Sequence, residues 1–420
     1  MSSFKINRAT LDNGLRIVHS YDGNTAMAAV NVLYNVGSRD ERRTQTGIAH
    51  LFEHFMFGGS VNAPSFDAEI ERAGGKNNAW TSNDFTNFYD VLPAQNIATA
   101  FFLESDRMLS PSFDTRVLEV QKSVVIEEFK QNYLNQPYGD SFDQVRRLSY
   151  APNHPYSWMT IGLSPDHIAG VTLDDAKQWF FSHYAPNNAI LSVTGRVEFD
   201  QVLELADKYF GSIPRREIPE RRLPDPGFVK ENVFEKVDRD VPVPFLTVAI
   251  PMSSYGTEEY FAADAVTDLL SAGKASRFMQ NILFGRGRGL TSGCDGSIIG
   301  SEHEGLLLLT AKLNDNSRQA ADEVAAMMID EGLKLREGIP ARELERCYNN
   351  FEADFRFNNV GFSALAGTLA MAEYHGRDLS QTVARRRALS ADTIAEYADK
   401  LFQRPSVTIL YSQSFDQGDK

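Results

Sequence analysis

His50-Leu51-Phe52-Glu53-His54 is the most informative stretch of this chain of 420 residues. On a helix with 3.6 residues per turn, two histidines four positions apart project from the same face. Such a pair can ligate zinc, and Glu53 can reach a metal-bound water without binding the metal. The alternative is a pair of core histidines with Glu53 as an ion-pair partner. Apolar flanks at 47–49 and 55–57 predict a largely buried helix and favour the metal site.

A second predicted helix, over residues 114–131, offers a third metal ligand. Its sequence contains neither proline nor glycine. Glu128 shares a stripe that we expect to be buried, whereas Glu127 is rotated about 100° toward solvent. A role for Glu128 as a helix cap or ion-pair partner is the alternative. The other members of the stripe are Val117, Gln121, Val124 and Val125.

These motifs resemble those of the M16 (pitrilysin-type) zinc peptidases, also called inverzincins. That family carries H-x-x-E-H and, about 75 residues later, a ligand glutamate, and here 74 positions separate His54 from Glu128. The length is similar to that of the single-unit subfamily, which includes mitochondrial processing peptidase and its bacterial relatives. The second half of the chain is less similar than the first. Further similar segments are residues 11–15, 36–41, 47–50, 74–81, 132–139, 154–156, 161–162 and 184–188.

The resemblance implies a zinc-dependent endopeptidase that cleaves unfolded peptides. One zinc ion per chain would be held by His50, His54 and Glu128. Glu53 would act as general base while a metal-bound water attacks the peptide bond. Asn78 and Ala79 resemble the family's substrate strand, where a peptide adds to an exposed sheet edge. A plain edge strand is the alternative for these two residues.

The order of predicted elements indicates an α+β fold with two similar domains. Strands and helices are mixed without strict alternation. Residues 214–228 are rich in proline, arginine and glutamate and form the predicted linker. We expect a zinc-binding catalytic domain at 1–213 and a similar domain without the zinc motif at 229–420. The family fold, the LuxS/MPP-like metallohydrolase fold, implies a mostly antiparallel sheet in each domain with helices packed on one face.

Composition narrows the function and the location of the chain. A net charge of −14 disfavours nucleic-acid binding. No run approaches 18 apolar residues, so we expect no membrane span. The first residues contain no apolar signal core, so we expect a cytoplasmic location, or a periplasmic one if a signal was removed.

The second half departs from the family pattern at two positions. The family has an arginine and, seven residues later, a tyrosine that contact the substrate carbonyl. Here Gly285 and Ser292 occupy these positions, although Arg286 and Arg288 are close. We therefore expect a homodimer, or a heterodimer with a related M16 subunit that supplies the arginine and tyrosine. Reading residues 285–289 as a phosphate-binding loop is disfavoured, because no strand is predicted before this segment and no helix after it.

Two other functions remain open from the sequence. One is a non-catalytic, M16-like structural or processing-complex subunit. The other is a zinc-dependent hydrolase of non-peptide substrates. The complete set of His50, Glu53, His54 and Glu128 favours a peptidase over the first alternative.

Overall fold

The computed structural model describes residues 5–300 and 302–413, which form two compact units. The first unit contains the described residues up to Phe129, together with Trp158–Leu223 and Asp354–Thr382. The second contains Lys130–Ser157, Pro224–Ala353 and the described residues from Val383 onward. This grouping differs from a linear division at 214–228, because two segments cross over to the other unit. The linear domain boundaries stay a prediction.

The described residues contain eleven strands and fourteen α-helices, besides short 3-10 and π-helical segments. The strands are β1 (Ile6–Thr10), β2 (Arg16–Tyr21), β3 (Met27–Tyr34), β4 (Lys76–Thr81), β5 (Thr86–Pro93), β6 (Ala189–Gly195), β7 (Val233–Arg239), β8 (Phe245–Met252), β9 (Thr291–Ile299), β10 (Gly305–Leu313) and β11 (Val407–Gln413). The helices are α1 (Ile48–Phe55), α2 (Phe66–Arg72), α3 (Ile97–Leu109), α4 (Thr115–Phe129), α5 (Ser141–Ser149), α6 (Pro165–Ala169), α7 (Leu173–His183), α8 (Phe199–Phe210), α9 (Glu258–Ser271), α10 (Arg318–Leu333), α11 (Ala341–Asn358), α12 (Phe362–Tyr374), α13 (Thr382–Ala388) and α14 (Ala391–Phe402).

The two sheets repeat one strand arrangement. The first unit has a six-stranded sheet in the order β1-β2-β6-β3-β5-β4, and the second a five-stranded sheet in the order β7-β11-β8-β10-β9. Apart from β1, the orders correspond strand for strand. Each sheet has one parallel pair, β2 with β6 and β11 with β7, and its other pairs are antiparallel. The predicted α+β class with two similar, mostly antiparallel sheets is confirmed.

The sheet of the first unit is covered on both faces. Leu33 and Tyr34 are consecutive in β3 and point to opposite faces. Leu33 packs with Leu365 and Leu369 of α12, whereas the ring of Tyr34 contacts Tyr184, which in turn contacts Phe52 of α1. Helix α12 therefore joins this unit because it buries a face that the helices of the first half leave open.

In the second unit, α5 plays the corresponding role. Val145 of α5 packs with Leu308 of β10 and Ile409 of β11. Opposite side chains of the same sheet, such as Leu307 and Leu410, belong to a separate core with α9 and α14. These apolar contacts explain why residues 130–157 group with the second unit.

Strand β4 forms one edge of the first sheet. Strand β4 pairs only with β5, with Ala79 opposite Phe88 and Thr81 opposite Thr86. Its other side carries backbone groups that no described strand uses.

None of the helices in the described part of the chain combines the length and apolar content needed to cross a bilayer.

Candidate metal centre

The first turn of α1 is anchored before it reaches the histidines. Gly47, at a φ of +90°, precedes the helix. The buried carboxylate of Glu41 accepts hydrogen bonds from the backbone N–H groups of Gly47 and Ala49, both at 3.0 Å. Nε1 of Trp158 donates to its other oxygen at 2.9 Å. Glu41 thus satisfies N–H groups that a helix start otherwise leaves unpaired, and this fixes the turn that carries His50.

The structure brings the three expected metal ligands together. Nε2 of His50 lies 3.8 Å, and Nε2 of His54 3.6 Å, from Oε2 of Glu128. Donor atoms on a tetrahedron with metal–ligand bonds of about 2.0–2.1 Å are about 3.4 Å apart. These two separations are close to that value, and all three donor atoms lie within 4.8 Å of one another. Within residues 5–300 and 302–413, no other group of three histidine, cysteine or acidic side chains converges in this way.

The protonation of the imidazoles also suits a metal. Burial, and then the neighbouring His54, lower the pKa of His50 to about 4. Burial lowers the pKa of His54 as well, although Glu128 and a hydrogen bond to Gln121 act in the opposite direction. Both rings are therefore neutral near pH 7, which is the form that binds metals. Two neutral nitrogens and one carboxylate oxygen are a donor set that zinc prefers.

Helix α4 presents Glu128 from a different face than expected. Its buried residues are Leu118, Lys122, Val125 and Phe129, whereas the side chain of Glu128 is 36% exposed. Val124, predicted to be buried, is 45% exposed, so the predicted stripe was wrong in this respect. Val120 and Val124 are exposed whereas Val125 is buried, so apolar periodicity alone could not identify the packed face. Glu128 flanks the buried face and reaches the histidines from there.

Glu53 lies beside the three ligand side chains and is only 8% exposed. Oγ1 of Thr81 donates a hydrogen bond to its Oε2 at 2.5 Å. Burial raises the pKa of Glu53 to about 7, the Thr81 hydrogen bond opposes this, and Glu128 adds to it. A carboxylate with a pKa near neutrality can accept a proton and later return it.

Strand β4 places Asn78 and Ala79 on the free edge of the sheet. The side chains of Asn78 and Trp80 are exposed, whereas Ala79 and Thr81 are half-buried. The N–H of Ala79 donates to Oδ1 of its neighbour Asn78 at 2.8 Å. This backbone N–H therefore points away from β5. An added strand would compete with the Asn78 side chain for it.

The second unit carries neither the arginine nor the tyrosine of the family pattern at the expected positions. Gly285 and Ser292 are exposed. The guanidinium of Arg286 bonds to Asp330 at 2.5 Å and to the buried Glu331 at 2.9 Å. Gly285 and Arg286 are the last two residues of a π-helix, Phe278–Arg286, and the chain then runs into β9. A phosphate-binding loop needs a helix after it, so that interpretation has no structural context here.

Sequence reasoning missed several residues that hold the site. Glu41 and Trp158 fix the start of α1, Gln121 bonds to His54, and Thr81 bonds to Glu53. Glu41 and Thr81 lie in segments that resemble the family, but no spacing rule connects them to α1. Gln121 was on the predicted stripe of α4 and lies two helical turns before Glu128, so its proximity to the histidines could have been foreseen.

Two family models match the chain. The model described as insulinase (peptidase family M16) matches residues 16–145. The model described as peptidase M16 inactive domain matches residues 170–351. The first match includes His50, Glu53, His54 and Glu128, and the second covers much of the unit that lacks a zinc motif.

Named relatives and a solved structure agree with these matches. Zinc protease PqqE of Helicobacter pylori is 32% identical over 370 residues, which cover 86% of this chain and 82% of that protein. Mitochondrial-processing peptidase subunit beta of Saccharomyces cerevisiae is 29% identical over 260 residues, 60% of this chain and 55% of that protein. The crystal structure of a protease from Helicobacter pylori matches with a TM-score of 0.87 and 28% identity, covering 98% of this chain and all of that one.

Proposed function

Because the chain belongs to the M16 family of peptidases, we propose that it is a zinc-dependent endopeptidase that cleaves unfolded peptides. The observation that carries this proposal is the convergence of His50, His54 and Glu128 beside the buried carboxylate of Glu53. One zinc ion per chain would be held by Nε2 of each histidine and a carboxylate oxygen of Glu128. Relatives that are named zinc proteases support the choice of metal.

The proposed mechanism assigns the proton transfers to Glu53. Zinc, when bound, supplies Lewis-acid polarisation of an oxygen atom at the site. Glu53 takes a proton from the attacking water and returns it to the nitrogen of the leaving amine. Its Oε2 is held by Thr81, so Oε1 is the oxygen that exchanges the proton. The low exposure of Glu53 removes the solvation by bulk water that would favour the ionised carboxylate, and this brings its pKa close to neutrality.

The free edge of β4 supports an extended peptide as substrate. Strand addition uses backbone hydrogen bonds and so requires a segment that is not already folded. Asn78 and Ala79 are the residues of β4 that we assign to peptide binding, since the N–H of Ala79 lies on the open side. Backbone pairing makes little use of the side chains of the peptide, so we expect the chain to accept peptides of many different sequences.

Full activity in this proposal depends on a second M16 subunit. The tyrosine position is Ser292, the arginine position is Gly285, and Arg286 is engaged by two carboxylates. A related subunit with both residues would supply the missing contacts to the substrate carbonyl, and a homodimer of this chain would be weakly active. One relative is by its name a subunit of a processing peptidase.

We also propose a cytoplasmic location for this chain, with the periplasm as the alternative. Cell fractionation tests this proposal.

A metal-removal assay tests the proposed function. The purified chain, with and without co-purifying proteins, is treated with a chelator and then supplied with zinc, using an unstructured peptide as substrate. We expect cleavage to disappear and to return with zinc. Absence of cleavage in both preparations would favour a non-catalytic subunit. Hydrolysis of small amides without peptide cleavage would favour a hydrolase of non-peptide substrates.

A further inference from the structure

The hydroxyl of Thr81 is aimed at the base of the proposed reaction. Thr81 is the last residue of β4, and its half-buried side chain lies on the same side of the strand as Ala79. Its Oγ1 donates to Oε2 of Glu53 at 2.5 Å, across 28 positions of sequence. A bond from a hydroxyl to a buried carboxylate is charge-assisted and stronger than one between neutral groups.

This bond leaves the two oxygens of Glu53 in different situations. Oε2 has Thr81 as its donor, whereas Oε1 has no hydrogen-bond partner in the part of the chain that the structure describes. Threonine is stiff at χ1 because it is branched at Cβ. A stiff donor holds the carboxylate in one orientation, so that Oε1 remains available for the proton of the attacking water.

The same residue also lies on the strand that would hold the peptide. The N–H of Ser82 bonds to the carbonyl of Phe85 at the turn into β5. Since bonds to the partner alternate along an antiparallel strand, the backbone groups of Thr81 and Ala79 face the free edge. A peptide paired with that edge would lie next to Thr81, and Thr81 also bonds to Glu53. This one residue would therefore link the position of the peptide to the position of the carboxylate.

We propose that Thr81 is a positioning residue, which orients the Glu53 carboxylate relative to a peptide bound along β4. The inference rests on the proposed peptidase function. In this proposal the hydroxyl of Thr81 is needed for turnover but not for holding zinc or binding peptide. A residue that only tied β4 to α1 would instead affect the metal, the fold or peptide affinity.

Two substitutions separate these roles. Thr81→Val keeps the shape and branching but removes the hydroxyl, whereas Thr81→Ser keeps the hydroxyl and removes a methyl group. For Thr81→Val we expect kcat to fall about tenfold to a hundredfold, as for loss of a hydrogen bond to a charged group, with KM changed by less than about threefold. Thr81→Ser should restore most of kcat.

Zinc content and peptide affinity provide readouts that do not depend on turnover. Both variants should retain the zinc content of the unmodified chain, measured by elemental analysis. In a Glu53→Gln background, Thr81→Val should leave the dissociation constant of an unstructured peptide unchanged. Unchanged kcat in Thr81→Val, loss of zinc, weaker peptide binding, or failure of Thr81→Ser to restore kcat would each overturn the inference. If the unmodified chain cleaves no peptide with zinc and partner present, the proposed function fails instead.

Discussion

Oε2 of Glu128 lies 3.6 Å from Nε2 of His54, although 74 positions separate the two residues in sequence. The contact joins α4 to α1 and completes a set of three donor atoms. Without a metal it would bring a carboxylate next to two imidazoles whose pKa values are lowered by burial. Neutral imidazoles gain little from an adjacent carboxylate, so a cation between them is the simplest reason for the arrangement.

Removing the carboxylate of Glu128 should release most of the zinc. Glu128→Gln replaces an anionic oxygen with a weaker neutral donor, and we expect zinc content to fall well below one ion per chain. Glu127→Gln is the matched control, because Glu127 is exposed and is not part of the convergent group. Equal zinc loss from the two variants in elemental analysis would show that Glu128 is not the ligand.

The contribution of one buried aspartate in the first unit to stability should fall as pH rises. Asp90 is completely buried. Burial, and then the neighbouring Glu104, raise its pKa well above the usual value, while Arg107 opposes them. The folded state therefore holds a proton that the unfolded state has lost above its ordinary pKa. The stability that Asp90 contributes is present at low pH and declines as pH increases toward the folded pKa.

Substitution of Asp90 tests this directly. Asp90→Asn keeps a neutral side chain of the same shape, and we expect it to stabilise the chain at pH 8 and to flatten the decline with pH. Urea unfolding at pH 5 and pH 8 measures both. Asp12→Asn, at an exposed turn, should change neither. A destabilised Asp90→Asn at pH 8 would mean that the ionised carboxylate is the native form.

Turnover should depend on a partner subunit. Contacts that stabilise a developing oxyanion are typically worth 10²–10³ in rate, and the chain has Gly285 and Ser292 where the family pattern has arginine and tyrosine. We expect a rise of about 10²–10³ in kcat when a related subunit with both residues is added. A purified homodimer whose turnover no partner changes would contradict this expectation.

The substrate should need to be unfolded. An extended segment can pair with the free edge of β4, whereas the backbone groups of a folded domain are already bonded. An unstructured peptide should be cleaved at least about 100-fold faster than the same sequence within a stable domain, a ratio set by the small unfolded fraction. Comparable rates, followed by mass spectrometry, would count against strand addition.

Much of the site could be predicted, because its residues either are close together in sequence or follow the spacing of the family. The i, i+4 histidines and Glu53 follow from helix geometry, and the separation of Glu128 follows the family pattern. Thr81 could not be placed against Glu53, because that contact depends on how β4 packs on α1. The packed face of α4 was misjudged for a related reason: Val120 and Val124 are exposed whereas Val125 is buried, and only tertiary contacts decide which valines pack.

The α+β class and the repeated sheet were predicted from the sequence. The packing of one helix from each half of the chain on the sheet of the other unit was not. Pro- and Arg-rich composition predicts a linker at 214–228, which stays a prediction. It could not reveal that α12 covers the first sheet and α5 the second, since an apolar helix face does not specify which apolar surface it will meet. The sequence pattern also did not predict buried charged side chains such as Arg107, which lies among Phe57, Phe66 and Phe88.

Glu53→Gln, assayed for zinc and for turnover in the same preparation, tests whether Glu53 is the general base. The amide is isosteric with the carboxylate but cannot accept the proton of the attacking water. We expect zinc to remain at about one ion per chain and kcat to fall by at least about 10³-fold, as for loss of a general base. Turnover close to that of the unmodified chain, with zinc retained, would contradict the assignment of Glu53 as the base.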